Sequence, residues 1–192
     1  MLTSLFLAAA LALAPAPPES VTLDADRTVV TYGDPVRLSV VVEPPEERVS
    51  IIGLPYDGGS YPTQPVPGEA GRWSVEDRPL ITTQYRARSG DVDSAEAPVV
   101  AVRPRVHLVV ISARRGRFYT RAESLRSYRG RAARLERRTG RGWRPVARVQ
   151  LGRRSAVRFS APLPAGSLRV RVVVDTIPGY ARGVSRVALI RR

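Results

Sequence analysis

The chain has one histidine, His107, and no cysteine. A histidine serves as a base or a metal ligand when a partner group fixes its tautomer and orientation. His107 lies in Val106-His107-Leu108-Val109-Val110, an apolar run with no such partner beside it. It reads as a strand residue. The lack of cysteine excludes disulfide frameworks, Cys-based zinc sites and thiol nucleophiles together. GxSxG, HExxH and P-loop patterns are all missing. The sequence therefore points away from catalysis and calls for no cofactor.

Three clusters could bind rather than react. Asp91-Val92-Asp93-Ser94-Ala95-Glu96 alternates carboxylates in a loop. Calcium wants six to eight oxygens, and this run offers too few carboxylates. It reads as a solvated hairpin turn, and no metal site is expected. Tyr56, Asp57 and Tyr61 flank Gly58-Gly59-Ser60, a polar loop of the kind that sits at the end of a sandwich and meets ligands. Trp73 and Trp143 each follow a turn and enter a strand, where a sandwich core takes its large aromatics.

The third cluster is arginine. Neither Lys nor Asn occurs, so all 31 basic residues are Arg, which reads as a high-GC coding bias. Bias does not explain where they fall. From Glu19 to Arg103 there are 8 Arg against 14 acids, a net of −6. From Pro104 to Arg192 there are 23 Arg against 3 acids, a net of +20. Arg144, Arg148, Arg154, Arg158, Arg169 and Arg171 fall on the phase opposite the apolar residues of their strands. They are the candidate polyanion site, since guanidinium pairs bidentately with phosphate and carboxylate. The expected partner is an anionic envelope polymer or another protein. Nucleic acid is disfavoured: no RRM, KH or OB signature appears, and few aromatics share the arginine phase. The charge could equally serve solubility, or dock on the acidic half.

These residues are positioned by strands. Val36, Leu38, Val40 and Val42 alternate with Arg37, Ser39 and Val41, and Leu168, Val170, Val172 and Val174 alternate with Arg169, Arg171, Val173 and Asp175. Trp143, Pro145, Ala147, Val149 and Leu151 alternate with Arg144, Val146, Arg148 and Gln150. Period two marks half-buried strands. Turn signals such as Tyr32-Gly33-Asp34-Pro35, Thr139-Gly140-Arg141-Gly142 and Pro178-Gly179 punctuate them.

The pattern repeats. Pro79-Leu80 with Tyr85-Arg86-Ala87-Arg88 matches Pro162-Leu163 with Leu168-Arg169-Val170-Arg171. Val21-Thr22-Leu23 matches Val106-His107-Leu108, and Val99 to Val102 matches Val187 to Ile190. Two copies of one unit meet at Arg103-Pro104-Arg105, where a Pro between strands makes a short, semi-rigid hinge.

The order of motifs resembles the immunoglobulin-like or fibronectin type III-like repeats of secreted bacterial proteins. In the first copy the motifs are Tyr32-Gly33, Gly71-Arg72-Trp73 and Thr82 to Ala87. In the second they are Tyr128-Arg129-Gly130, Gly142-Trp143, Pro178-Gly179-Tyr180 and Val184-Ser185. The resemblance implies stalk, adhesion or ligand-displaying roles and no reaction.

Leu5 to Ala14 is a short apolar run followed by small residues and Pro15-Ala16-Pro17-Pro18. It is too short to span a membrane and fits a secretory signal with a stiff linker. The expected architecture is all-β: two tandem antiparallel, immunoglobulin-like sandwiches at residues 19–103 and 104–192, after a signal and linker at 1–18. The expected place is secreted or extracytoplasmic.

Overall fold

The computed structural model describes residues 20–45, 48–69 and 71–191. The expected signal and linker lie outside these residues. The described chain is all-β, with no helix among its residues. No helix among them is therefore long and apolar enough to cross a membrane.

Ten strands come first: β1 (Ser20–Ala25), β2 (Val29–Thr31), β3 (Val36–Glu43), β4 (Ser50–Pro55), β5 (Tyr61–Thr63), β6 (Val66–Pro67), β7 (Arg72–Asp77), β8 (Thr83–Ser89), β9 (Val92–Asp93) and β10 (Val99–Arg103). Eight follow: β11 (Arg105–Ser112), β12 (Arg117–Glu123), β13 (Ala132–Thr139), β14 (Gly142–Gln150), β15 (Ala156–Ser160), β16 (Ser167–Val174), β17 (Gly183–Val184) and β18 (Ala188–Arg191). They form four sheets. β1-β3-β7-β6 faces β2-β10-β8-β4-β5, with β9 on β8, and β11-β12-β15 faces β14-β13-β16-β17, with β18 on β16. All pairings are antiparallel except that of β2 with β10. The result is two sandwiches in tandem, in the immunoglobulin-like division of strands between sheets.

The alternation seen in sequence becomes burial. β3 turns Val36, Leu38, Val40 and Val42 inward and Arg37 and Ser39 outward. Tyr85 and Ala87 of β8 meet them across the first core, with Trp73 packed alongside. Val170, Val172 and Val174 of β16 line the second core with Leu135 and Phe118. The repeated segments occupy equivalent places. β1 and β11 each edge a sheet, β8 and β16 are each central, and β10 and β18 each flank that central strand. The stretch from Arg121 to Glu123 continues strand β12.

Two expectations are corrected. The first is the hinge. One residue, Pro104, separates β10 from β11, and it is buried. A Cβ added to Gly183 would stand 2.5 Å from its Cγ. Residues 175–182, between β16 and β17, fold back onto the first sandwich. The Gly179 carbonyl accepts the Thr82 N–H (3.0 Å), and Ala181 donates to the Val102 carbonyl (2.8 Å). The Tyr180 hydroxyl donates to the Leu80 carbonyl (2.5 Å) and accepts the Leu125 N–H (2.9 Å). Arg105 donates to the Tyr32 carbonyl and pairs with Asp34 at 2.6 Å. Gly179 is required here: its φ is +81°, and a Cβ would strike Ile81 at 2.5 Å. The junction is a clasp because the loop supplies partners for backbone groups that a free hinge would leave to water.

The second correction is strand β14. Leu135 faces Ala147 but Glu136 faces Pro145, so Val146 is an extra residue in a bulge. Beyond it the phase reverses. Ala147 and Val149 point inward, whereas Trp143 and Pro145 share the outer face with Arg138 and Glu136. Trp143 is therefore not a core residue.

Replacing Tyr180 with Phe leaves the Leu80 carbonyl and the Leu125 N–H without a partner. Unfolding in urea should show a stability loss of about 1–3 kcal/mol. A midpoint unmoved from the parent's would show the hydroxyl to be dispensable.

Candidate functional site

The bulge also disperses the six candidate arginines. Arg148 stands opposite Arg134 on the outer face of the β14-β13-β16 sheet, and Arg144 stands opposite Arg137 on the inner phase. Arg144 lies at the far end of its strand, where Arg137, Thr139 and Arg141 surround a shallow hollow. Arg169 and Arg171 alternate with the buried Val170 and so join Arg148 on the outer face. Arg154 and Arg158 belong to the other sheet, beside Tyr119. The six arginines thus occupy three surfaces.

The outer face of β14-β13-β16 is the most ordered of these. Its centre is Glu136, only 6% exposed. Arg171 donates from Nε to Glu136 Oε2 at 2.9 Å, and Arg182 reaches Oε1 at 3.5 Å. The Arg171 guanidinium carbon lies 4.2 Å from the centre of the Trp143 ring, with that of Arg138 at 5.9 Å. That is cation–π geometry. Arg171 is consequently a structural residue, held by a carboxylate and an indole. Arg134 makes a two-pronged bond to Asp175 at 3.0 and 2.7 Å. Glu123, the third acid of the second half, meets His107 at 3.2 Å and Arg121 at 3.6 Å. Every carboxylate of residues 105–191 is thus engaged. Arg138, Arg148 and Arg169 remain exposed on this face with no carboxylate partner among the described residues. Arg138 reads in the sequence as a turn residue, outside the six candidates, whereas it lies in β13.

The loop candidates also separate. Tyr56 and Asp57 are exposed but lie at the clasp, where Arg126 pairs with Asp57 at 3.5 Å and covers the Tyr56 ring at 6.0 Å. Tyr61 is turned away from them. Its ring lies over Gly53, where a Cβ would clash at 2.5 Å. Its hydroxyl donates to Asp77 Oδ2 at 2.6 Å, and the buried Tyr85 donates to the same oxygen at 2.5 Å. Burial, then the bond to Asp77, pushes the Tyr61 phenol up to about 12. The same two causes push the Tyr85 phenol upward. This triad locks β5 and β7 onto β8. In the acidic run, Asp93 is taken by Arg88 at 2.6 and 2.9 Å. No cluster of three or more potential ligands gathers among the described residues.

No family model and no curated protein matches the chain. Solved structures do. It is similar to a segment of two fibronectin type III domains from chicken tenascin, at 14% identity and a TM-score of 0.48, over 92% of this chain and 100% of that one. A tetra-tandem repeat from the extending region of a large adhesion protein matches at 13% identity and a TM-score of 0.40, over 89% of this chain and 49% of that one. A DUF4785 family protein of Legionella pneumophila matches at 9% identity and a TM-score of 0.46, over 79% of this chain and 52% of that one. The chain spans about half the length of the last two.

Two outcomes follow from the geometry. Glu136→Ala strips the counter-charge from Arg171 and Arg182, and stability should fall by about 3 kcal/mol, the lower end for breaking a buried pair. Glu136→Gln, which keeps the shape and one acceptor, should fall less in the same denaturation series. The tyrosine triad contributes to the stability lost at alkaline pH. The folded chain keeps the Tyr61 and Tyr85 protons where an unfolded chain releases them, above about pH 10. Their contribution is intact below pH 10 and is lost as pH rises toward 12. Absorbance at the phenolate band should show exposed tyrosines titrating first, and Tyr61→Phe should flatten the stability loss between those limits. An unchanged profile would disconnect the triad from alkaline unfolding.

Proposed function

We propose that the chain is an exported, non-catalytic binding and structural protein of the cell envelope. In this reading residues 19–103 form an acidic module and residues 104–192 a basic one, behind a signal and linker at 1–18. The basic module associates electrostatically with anionic envelope polymers. One observation carries this: Arg138, Arg148 and Arg169 share an exposed sheet face while each acid of their half is engaged by other side chains. A surface with surplus guanidinium attracts polyanions and holds phosphate or carboxylate bidentately.

The main alternative is a spacer or accessory module acting through protein–protein contacts, its charge serving solubility or docking the two halves together. Two ion pairs cross between them, Arg105–Asp34 and Arg126–Asp57. The other contacts of the clasp named above are mostly hydrogen bonds to backbone groups. Docking therefore leaves most of the basic surplus unspent. Tyr56 and Asp57 serve this clasp and leave little of their loop for a further ligand.

The test is retention of the full chain on immobilised polyglycerol phosphate against rising salt. Polyanion contacts weaken steeply with ionic strength. Arg138→Ser/Arg148→Ser/Arg169→Ser should elute at clearly lower salt than Arg72→Ser/Arg78→Ser/Arg86→Ser, which removes the same charge from the first half. Equal elution of the two variants would reduce the effect to net charge. Retention indifferent to salt would sink the electrostatic reading altogether.

A further inference from the structure

The opposite side of the second sandwich is built differently. On the outer face of β11-β12-β15, Val109, Tyr119 and Arg158 stand side by side across three strands. Ile111 is the extra residue of a bulge that follows Val110. With Ala156 and Val157 they line a hollow of about 660 Å³, completed by Arg153 and Arg154. Val109 and Ile111 are 51% and 45% exposed. Exposed aliphatic side chains gathered on one face mark an interaction surface. Arg153, Arg154 and Arg158 have no carboxylate partner among the described residues.

The turn that bears two of these arginines is held under strain. Ser155 has φ +53°, the one non-glycine residue described with a positive φ. Its hydroxyl accepts the Tyr128 N–H (2.9 Å), its carbonyl accepts the Ala122 N–H (2.9 Å), and its own N–H donates to the Gly152 carbonyl (3.0 Å). A strained residue persists where its surroundings over-determine it, and such sites cluster at ligand contacts. Here the turn fixes where Arg153 and Arg154 leave the backbone.

We propose that this face docks on an anionic lipid bilayer. Val109, Ile111 and Tyr119 enter the boundary between headgroups and acyl chains, and the three arginines take the phosphates. An acidic glycan satisfies the arginines but offers the aliphatic pair no apolar layer, and an acidic protein does so only where it also exposes an apolar patch. A layer of phosphate over hydrocarbon satisfies both. Tyrosine favours that boundary, with its ring in the apolar layer and its hydroxyl in the polar one. The face shares no residue with Arg138, Arg148 and Arg169, so either surface can fail without the other.

The absence of cysteine supplies the test. Ile111→Cys in the full chain takes a single environment-sensitive fluorophore, and Ser74→Cys on the first sandwich gives the control. The label at 111 should brighten and shift to the blue on phosphatidylglycerol vesicles. It should not do so on phosphatidylcholine vesicles, soluble polyphosphate or polyglutamate, and the label at 74 should stay in water throughout. Arg153→Ser/Arg154→Ser/Arg158→Ser should weaken the apparent vesicle affinity roughly tenfold or more, and the triple Lys variant should keep most of it. The proposal is overturned if the label at 111 stays in water on anionic vesicles. It is equally overturned if polyphosphate or polyglutamate gives the same response, or if the serine variant matches the parent.

Discussion

Residues 104–192 must hold 23 arginines with three carboxylates, and the arrangement of the second sandwich follows from that shortage. Each acid meets at least one cation. Glu136 sits in the middle of an outer face and serves Arg171 and Arg182. Asp175, just beyond β16, holds Arg134 with both oxygens. Glu123 ends β12 against His107 and Arg121. A buried carboxylate between two guanidiniums costs desolvation, which close geometry offsets. Trp143 adds a neutral means of holding the same cation, since the face of an indole attracts guanidinium without a counter-charge. Arg138, Arg148, Arg153, Arg154, Arg158 and Arg169 have no carboxylate partner among the described residues and lie at the surface, where mutual repulsion opposes compaction.

That repulsion explains why the clasp matters. An isolated basic sandwich would fold against its own charge. Docked, it gains the first half's Asp34 and Asp57 and a set of backbone hydrogen bonds that no salt can screen. Leu80, Thr82 and Val102 contribute main-chain groups to the joint, and the Thr82 hydroxyl also accepts the Val102 N–H at 3.2 Å. Gly179 admits the close approach, and Tyr180 spans it with one oxygen bonded on both sides. A single buried proline joins the repeated modules, and a loop folds back across the joint.

Much of this was legible in the sequence, and each failure has a physical origin. Alternation located β3 and β16 and their inward residues, because burial on one face leaves a period-two trace that nothing local disturbs. The repeat placed β1 with β11 and β8 with β16, because the same strand must pack in the same place in each copy. What alternation cannot show is its own interruption. Val146 adds one residue to β14, and every side chain before it changes face. Pro145 was the available signal: a proline within a strand pattern marks an edge or a bulge. Read so, it would have moved Trp143 outward. Tyr61 failed differently. Its position depends on Gly53 and Asp77, each on another strand, and no local pattern carries such contacts.

The two outer faces of the second sandwich now differ in kind. One holds arginines around a carboxylate and an indole; the other holds arginines beside exposed aliphatics. The sheets that carry them pack about 10 Å apart, and side chains on each outer surface add to that distance. The screening length at physiological ionic strength is about 8 Å. Charge on one face is therefore largely hidden from the other by salt, and a polyanion on the first face scarcely affects an anionic surface at the second. At low ionic strength the screening length grows, and two anionic ligands feel each other through the module. Their coupling is then unfavourable, because each removes part of the positive field that attracts the other. On the proposed reading, a module of this thickness lies between two anionic partners as a nearly independent binder of each. The arginine excess that opposes its folding is what equips both faces.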